Sequence, residues 1–221
     1  MIKALIFDFD GLILDTETPE YRAWVEVYEG FGLTLPRDQW MSMIGRGTHE
    51  IVWTPYLGLE ELLGPIDQEA VRTQKRARFA ELMSTEVVRP GVVELMGEAD
   101  ALGVALAVAS SSGHSWVDDY LQRLDIFDRF DAILCRGDVE RTKPAPDLYL
   151  AAVAALGVNV DEVVALEDSP NGIAAAKAAG LYCIAVPNEI TKLLDLSAAD
   201  RIVESLAEVR LRSISLFQNR Q

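Results

Sequence analysis

Apolar positions along the chain fall into two rhythms. Five short continuous runs, Ala4–Phe9, Val104–Ala109, Ala132–Cys135, Val163–Leu166 and Cys183–Val186, are too brief for helices. They also lack the alternation of a strand with one wet face, so they predict strands buried on both sides. Between them, Val92–Leu102, Trp116–Leu124, Leu148–Leu156 and Ile173–Ala179 carry apolar residues at helical spacing. Gly103, Gly157 and Gly180 follow three of these stretches, where a left-handed C-cap residue is expected. Strand and helix in alternation predict βαβ units, hence an α/β fold with a doubly wound parallel, Rossmann-like core.

The alternation breaks once. From about Asp15 to Thr85 only helix patterns occur. Thr18-Pro19-Glu20 reads as an N-cap, a Pro in the first turn and an acid beside it. Pro36 marks a second helix start. Asp67 is placed to cap a third helix through Gln68–Met83. This block predicts a small helical cap domain, residues 15–87, joined near Leu14–Thr16 and Thr85–Pro90. The α/β core is then discontinuous, residues 1–14 plus 88–221.

Composition narrows the class. The chain has 221 residues, 50% hydrophobic and 25% charged, which suits one large or two small folded domains. Its net charge of −15 repels phosphate backbones and anionic membranes, so nucleic-acid and membrane partners are not expected. No apolar run approaches a membrane span. The N-terminal stretch is apolar but carries Asp8, Asp10 and Asp15 and lacks a small-residue cleavage site, unlike a signal peptide. Cys135 and Cys183 sit in apolar runs and read as buried thiols. A soluble cytoplasmic monomer is the expectation.

Four groups of residues carry candidate chemistry. Asp8 and Asp10 stand two apart at the end of the first strand, so both carboxylates face one way, and Gly11 lets the backbone approach a ligand. Glu167 and Asp168 close another buried strand. Ser110-Ser111-Ser112-Gly113 follows the strand Val104–Ala109 and offers hydroxyls and N–H groups to an anion. Lys143 lies between residues stiffened by Pro144 and Pro146. Each has a plain structural explanation alone: a turn start, a helix N-cap, a polar turn, a surface lysine. Together they sit in order at the carboxyl ends of strands, where open α/β sheets bind ligands. Converging acids need a cation to stay ionised, and oxygen-only donors without nearby His or Cys suggest Mg²⁺.

On these residues the chain resembles the haloacid dehalogenase superfamily of phosphohydrolases. DFDG with DTE, the Ser after the second core strand, KPAPDLY and LEDSPNGIAAAKAAG match its four motifs in order and spacing. The helical insertion resembles the cap of the β-phosphoglucomutase-like subgroup. The resemblance implies that Asp8 is the nucleophile and forms an aspartyl-phosphate, with Asp10 the general acid and then base. It implies Mg²⁺ held by Asp8, the Asp10 carbonyl, Asp168 and, directly or through water, Glu167. Gly11, Ser110, Ser111 and Lys143 would hold the phosphoryl group.

The departures from the family pattern select among its activities. The second Asp and the metal acids are present, which disfavours dehalogenation. Mutases of the subgroup carry a cap His shortly after DT; here the stretch reads ETPEYRAW. The expected function is therefore a Mg²⁺-dependent phosphatase for a small phosphorylated metabolite such as a sugar phosphate. A phosphosugar mutase is the alternative among enzymes. From another class, a non-hydrolytic phospho-acceptor or metal-binding partner protein remains open. Arg46 and His49 are the candidate substrate contacts of the cap, while Trp24, Trp40 and Trp53 read as packing. The basic run Arg72, Lys75, Arg76, Arg78 reads as a solvated face paired with acids.

Overall fold

The apolar runs pair as one sheet. The computed structural model describes residues 1–43 and 53–214. Strands β1 (Ala4–Phe7), β2 (Ala105–Ala109), β3 (Ala132–Leu134), β4 (Val163–Glu167), β5 (Tyr182–Ala185) and β6 (Arg201–Ile202) are all parallel, in the order β3-β2-β1-β4-β5-β6. The edge strand β6 escaped the apolar pattern because it has two residues, one of them charged. The helices are α1 (Glu17–Gly30), α2 (Arg37–Met43), α3 (Pro55–Leu63), α4 (Gln68–Met83), α5 (Val92–Leu102), α6 (His114–Arg123), α7 (Asp147–Leu156) and α8 (Pro170–Ala178).

The two faces of the sheet are chemically unequal. Leu5, Phe7, Leu106, Val108, Leu166 and Ile184 fill one face, under α5 and α6. Ala4, Ala107, Ala109, Ala165 and Ala185, with Ile6, Val163 and Cys183, form the other, under α7 and α8. Side chains of one carbon let a helix lie close to the sheet. Tyr149 of α7 is fully buried against this small-residue face and reaches the strand ends from it.

The helical block has a cluster of its own. Trp24, Val27 and Tyr28 of α1 meet Trp40, Leu59 and Val71, with Trp53 packed alongside, as the packing reading of these tryptophans expects. Asp67 caps α4 by accepting from the N–H groups of Glu69 and Ala70 at 3.1 and 3.0 Å. Pro36 immediately precedes α2. The start of α1 differs from the sequence expectation. Thr18 lies inside the first turn and its N–H donates to Asp15 Oδ1 at 3.0 Å, so the Asp15 carboxylate serves where a Thr18 hydroxyl was expected. A polar residue before Pro fits more than one start, and the better acceptor decides. The chain leaves the sheet at Leu14 and returns at Val88, and these two residues bridge one another. No helix among the described residues is long and apolar enough to cross a membrane.

The small-residue face yields a test of packing. Ala165→Leu adds apolar surface yet is expected to destabilise by about 1–3 kcal/mol, because α7 and α8 leave no room for it. Urea unfolding should show a lowered midpoint with an unchanged slope.

Candidate active site

The first and fourth strands run side by side, Ala4 opposite Val163 through Phe7 opposite Leu166. Asp8 continues this register, its N–H donating to Leu166 O at 2.9 Å. Asp8, Glu167 and Asp168 therefore emerge together at the crevice where the winding of the sheet reverses. Their carboxylate oxygens lie within 4.8 Å of one another, and all three residues are buried.

Lys143 joins this group. Its ammonium donates to Asp8 Oδ1 at 2.5 Å and to Glu167 Oε1 at 2.6 Å, with 6% of the side chain exposed. A surface lysine, the plain reading of this position, is thereby excluded. Glu167 is held on every side: Oε1 also accepts from the Tyr149 hydroxyl at 2.5 Å, and Oε2 from the Asp168 N–H at 3.2 Å. Sequence reading missed Tyr149, although it lies in the KPAPDLY segment. Asp168 Oδ2 accepts from Asn188 Nδ2 at 2.8 Å, and Asn188 is fixed by the N–H groups of Ile190 and Thr191. Arg89 donates to the carbonyls of Gly11, Val186 and Pro187, tying the turn after β1 to the end of β5.

Two glycines clear the space these acids occupy. Gly11 has φ +84°, and a Cβ there would lie 2.2 Å from Asp168 Oδ2. A Cβ on Gly172 would fall 1.8 Å from Glu167 Oε2. The Gly of each motif is thus explained by a carboxylate at or just beyond the end of the fourth strand.

Asp10 occupies a different environment. It is half-buried, accepts from Ser112 Oγ at 2.6 Å and Ser110 Oγ at 3.4 Å on Oδ2, and from Trp116 Nε1 at 2.9 Å on Oδ1. Ser110 is buried and its Oγ accepts the Ser112 N–H at 3.0 Å; Ser111 lies in the same turn, partly exposed. Trp116 appeared in the sequence only as the first residue of an amphipathic stretch. His114 is engaged elsewhere, between Asp118 and Asp138, and these partners raise its pKa. Glu17 of α1 is pushed up to about 7 by loss of water and by Asp10, Glu20 and Asp15. Arg46 and His49 lie outside the described residues. Lys75 departs from the solvated-face reading. It pairs with Glu20, only 14% of its side chain is exposed, and it helps line a 380 Å³ cavity with Trp24, Trp40 and Tyr56.

Burial lifts the Asp8 carboxyl to about 8; Lys143 pulls against the rise, while Glu167 and Asp10 add to it. Asp168 is raised by burial and by Asp8, Glu167 and Glu17. Three buried acids exceed what one ammonium neutralises, and their donors are all hard oxygens. The set fits a Mg²⁺ ion, with Asp8 and Asp168 the residues to hold it and Glu167 behind them.

These shifts have a sign for stability. A carboxyl raised on folding binds more protons in the folded chain, so stability falls as pH rises from about 4, its unfolded value, to about 8. With chelator present, the melting temperature should therefore drop from about pH 5 to about pH 8. Asp168→Asn should flatten the drop, and Mg²⁺ should restore stability most at the upper end. Melting curves across that range check all three.

The geometry can be set beside known proteins. A model of haloacid dehalogenase-like hydrolases matches residues 2–180. YhcW of Bacillus subtilis (strain 168), provisionally named a phosphatase, is 45% identical over 212 residues, covering 96% of this chain and 95% of its own. CbbY from Rhodobacter sphaeroides has been solved with phosphate and, as a variant, with xylulose-(1,5)bisphosphate. Both structures match at TM-score 0.70 and 31% identity over 94% of this chain and 96% of theirs. The β-phosphoglucomutase of Clostridium difficile matches at TM-score 0.71 and 25% identity, covering 96% and 95%. With the matched model spanning most of the chain and the acids, lysine and serines at one sheet edge, the chain belongs to the haloacid dehalogenase-like hydrolase family.

Proposed function

We propose that this hydrolase is a Mg²⁺-dependent phosphatase that removes phosphate from a small phosphorylated metabolite of the sugar phosphate class. The observation that carries the reading is the contrast between two aspartates two residues apart. Asp8 is buried against Lys143 and the acids at the end of β4, whereas Asp10 is half-buried and bonded by neutral donors. Two carboxylates in unlike surroundings suit two roles.

The Asp8 carboxylate attacks phosphorus, forming an acyl-phosphate bond as the ester oxygen leaves. Asp10 gives that oxygen a proton and then takes one from the water that cleaves the acyl-phosphate, releasing inorganic phosphate and restoring Asp8. Lys143 lowers the repulsion between nucleophile and phosphoryl oxygens, and Ser110 and Ser111, with the backbone at Gly11, cradle that group. A bound Mg²⁺ would supply further charge neutralisation and orient the phosphoryl group for in-line attack. Residues 15–87 form the cap over this crevice, on a core of 1–14 and 88–221. The phosphate bound to CbbY and the name of YhcW support this reaction class, and the bisphosphate bound to CbbY supports a phosphosugar.

Mutase action has less support. Where the mutases carry a His, Glu20 pairs with Lys75 and Tyr21 packs on Trp40.

Phosphate release from a panel of sugar phosphates, nucleotides and 4-nitrophenyl phosphate tests the proposal. Repeated turnover is expected with Mg²⁺ and not with chelator. Asp8→Asn should abolish it, and Asp10→Asn should lower it by about 10²–10⁴-fold. Release that survives Asp8→Asn would refute the nucleophile, and no release from any ester would refute the phosphatase.

A further inference from the structure

Asp10 is anchored by a residue that the motifs do not contain. An indole has one donor, and Trp116 gives it to Asp10 Oδ1 at 2.9 Å. The opposite oxygen, Oδ2, takes the Ser112 hydroxyl at 2.6 Å. With donors on both oxygens the carboxylate plane is fixed.

The indole is itself held by two other rings. Phe79 of α4 stacks on it at 5.9 Å with the rings 19° apart. Tyr120 of α6 also packs on it, at 4.5 Å and 57°. The Lys75 ammonium lies 4.8 Å over the Phe79 ring and pairs with Glu20 of α1. A continuous line of contact therefore runs from Asp10 through Trp116 and Phe79 to Lys75 and Glu20. Its first two members belong to the α/β part of the chain and the last three to the inserted helices. Dispersion between rings weakens within an ångström of separation, so the grip on the indole depends on where α4 sits.

We propose that Trp116 is a positioning residue for Asp10, and that Phe79 makes this positioning depend on the placement of α4. The acid–base group is then oriented by the inserted helices although none of its own hydrogen bonds comes from them. The proposal rests on the role of Asp10 argued above.

The test separates orientation from folding. Trp116→Phe keeps an aromatic ring against Phe79 and Tyr120 but removes the donor. Phe79→Leu keeps bulk but removes the stack. Two esters are compared: an alkyl phosphate turned over by the wild type, whose leaving oxygen needs a proton, and 4-nitrophenyl phosphate, whose leaving group departs without one. Trp116→Phe should lower kcat/KM about tenfold for the alkyl ester and less than about twofold for the nitrophenyl ester. Phe79→Leu should show the same asymmetry at smaller size. Equal losses on both esters, or none on either, would overturn the proposal.

A second readout needs no turnover. The indole N–H signals of ¹⁵N-labelled protein are recorded, and Trp116→Phe identifies the Trp116 peak. Asp10→Ala and Phe79→Leu should each move that peak while the other three indoles stay in place. An unmoved peak in Asp10→Ala would overturn the proposal even if the protein hydrolysed nothing, an outcome that by itself would fell only the phosphatase reading.

Discussion

Lys143 between Asp8 and Glu167 is the interaction around which the acidic edge of the sheet is arranged. An ammonium and three carboxylates leave water together, and such a transfer costs several kcal/mol per ion unless partners are exact in place and number. The surroundings show how this is met. Tyr149 and the Asp168 N–H complete Glu167, Asn188 completes part of Asp168, and two glycines keep carbon out of the volume the carboxylates fill. The negative charge left over is the reason a divalent cation fits.

The asymmetry of the sheet serves this edge. Alanines on one face bring α7 close enough for Tyr149 to reach the end of β4. The bulky face instead carries the contacts that continue into the inserted helices, through Met83, Phe79 and Trp116. One face thus secures the neighbours of Asp8, and the other leads to the surroundings of Asp10.

Much of this was legible in the sequence, for physical reasons. Buried parallel strands must be continuously apolar, so their ends are marked by the first charged residue, and the acids of the site are those residues. Asp67 and the C-terminal glycines act locally and were readable for that reason. Tyr149, Asn188, Arg89 and Trp116 were not. Each acts on a residue far away in the chain, and a Tyr or Trp at helical spacing looks the same whether its polar atom points to a carboxylate or to solvent. Thr18 was misread because two polar residues stood near one proline. Lys75 was misread because a helix of mixed charges does not reveal which cation turns inward.

The order of the strands has a consequence for how the protein comes into being. The first strand lies between β2 and β4, and its partner Val163 follows Ala4 only after most of the chain. A ribosome therefore releases Asp8 early but Glu167, Asp168 and Asn188 late. Until then the N-terminal strand lacks one of its two neighbours, while the inserted helices, whose contacts are nearer in sequence, already have their own partners. The part of the chain made first gains its second neighbour only when β4 has been made, so a chain truncated before β4 would carry Asp8 without the acids that surround it.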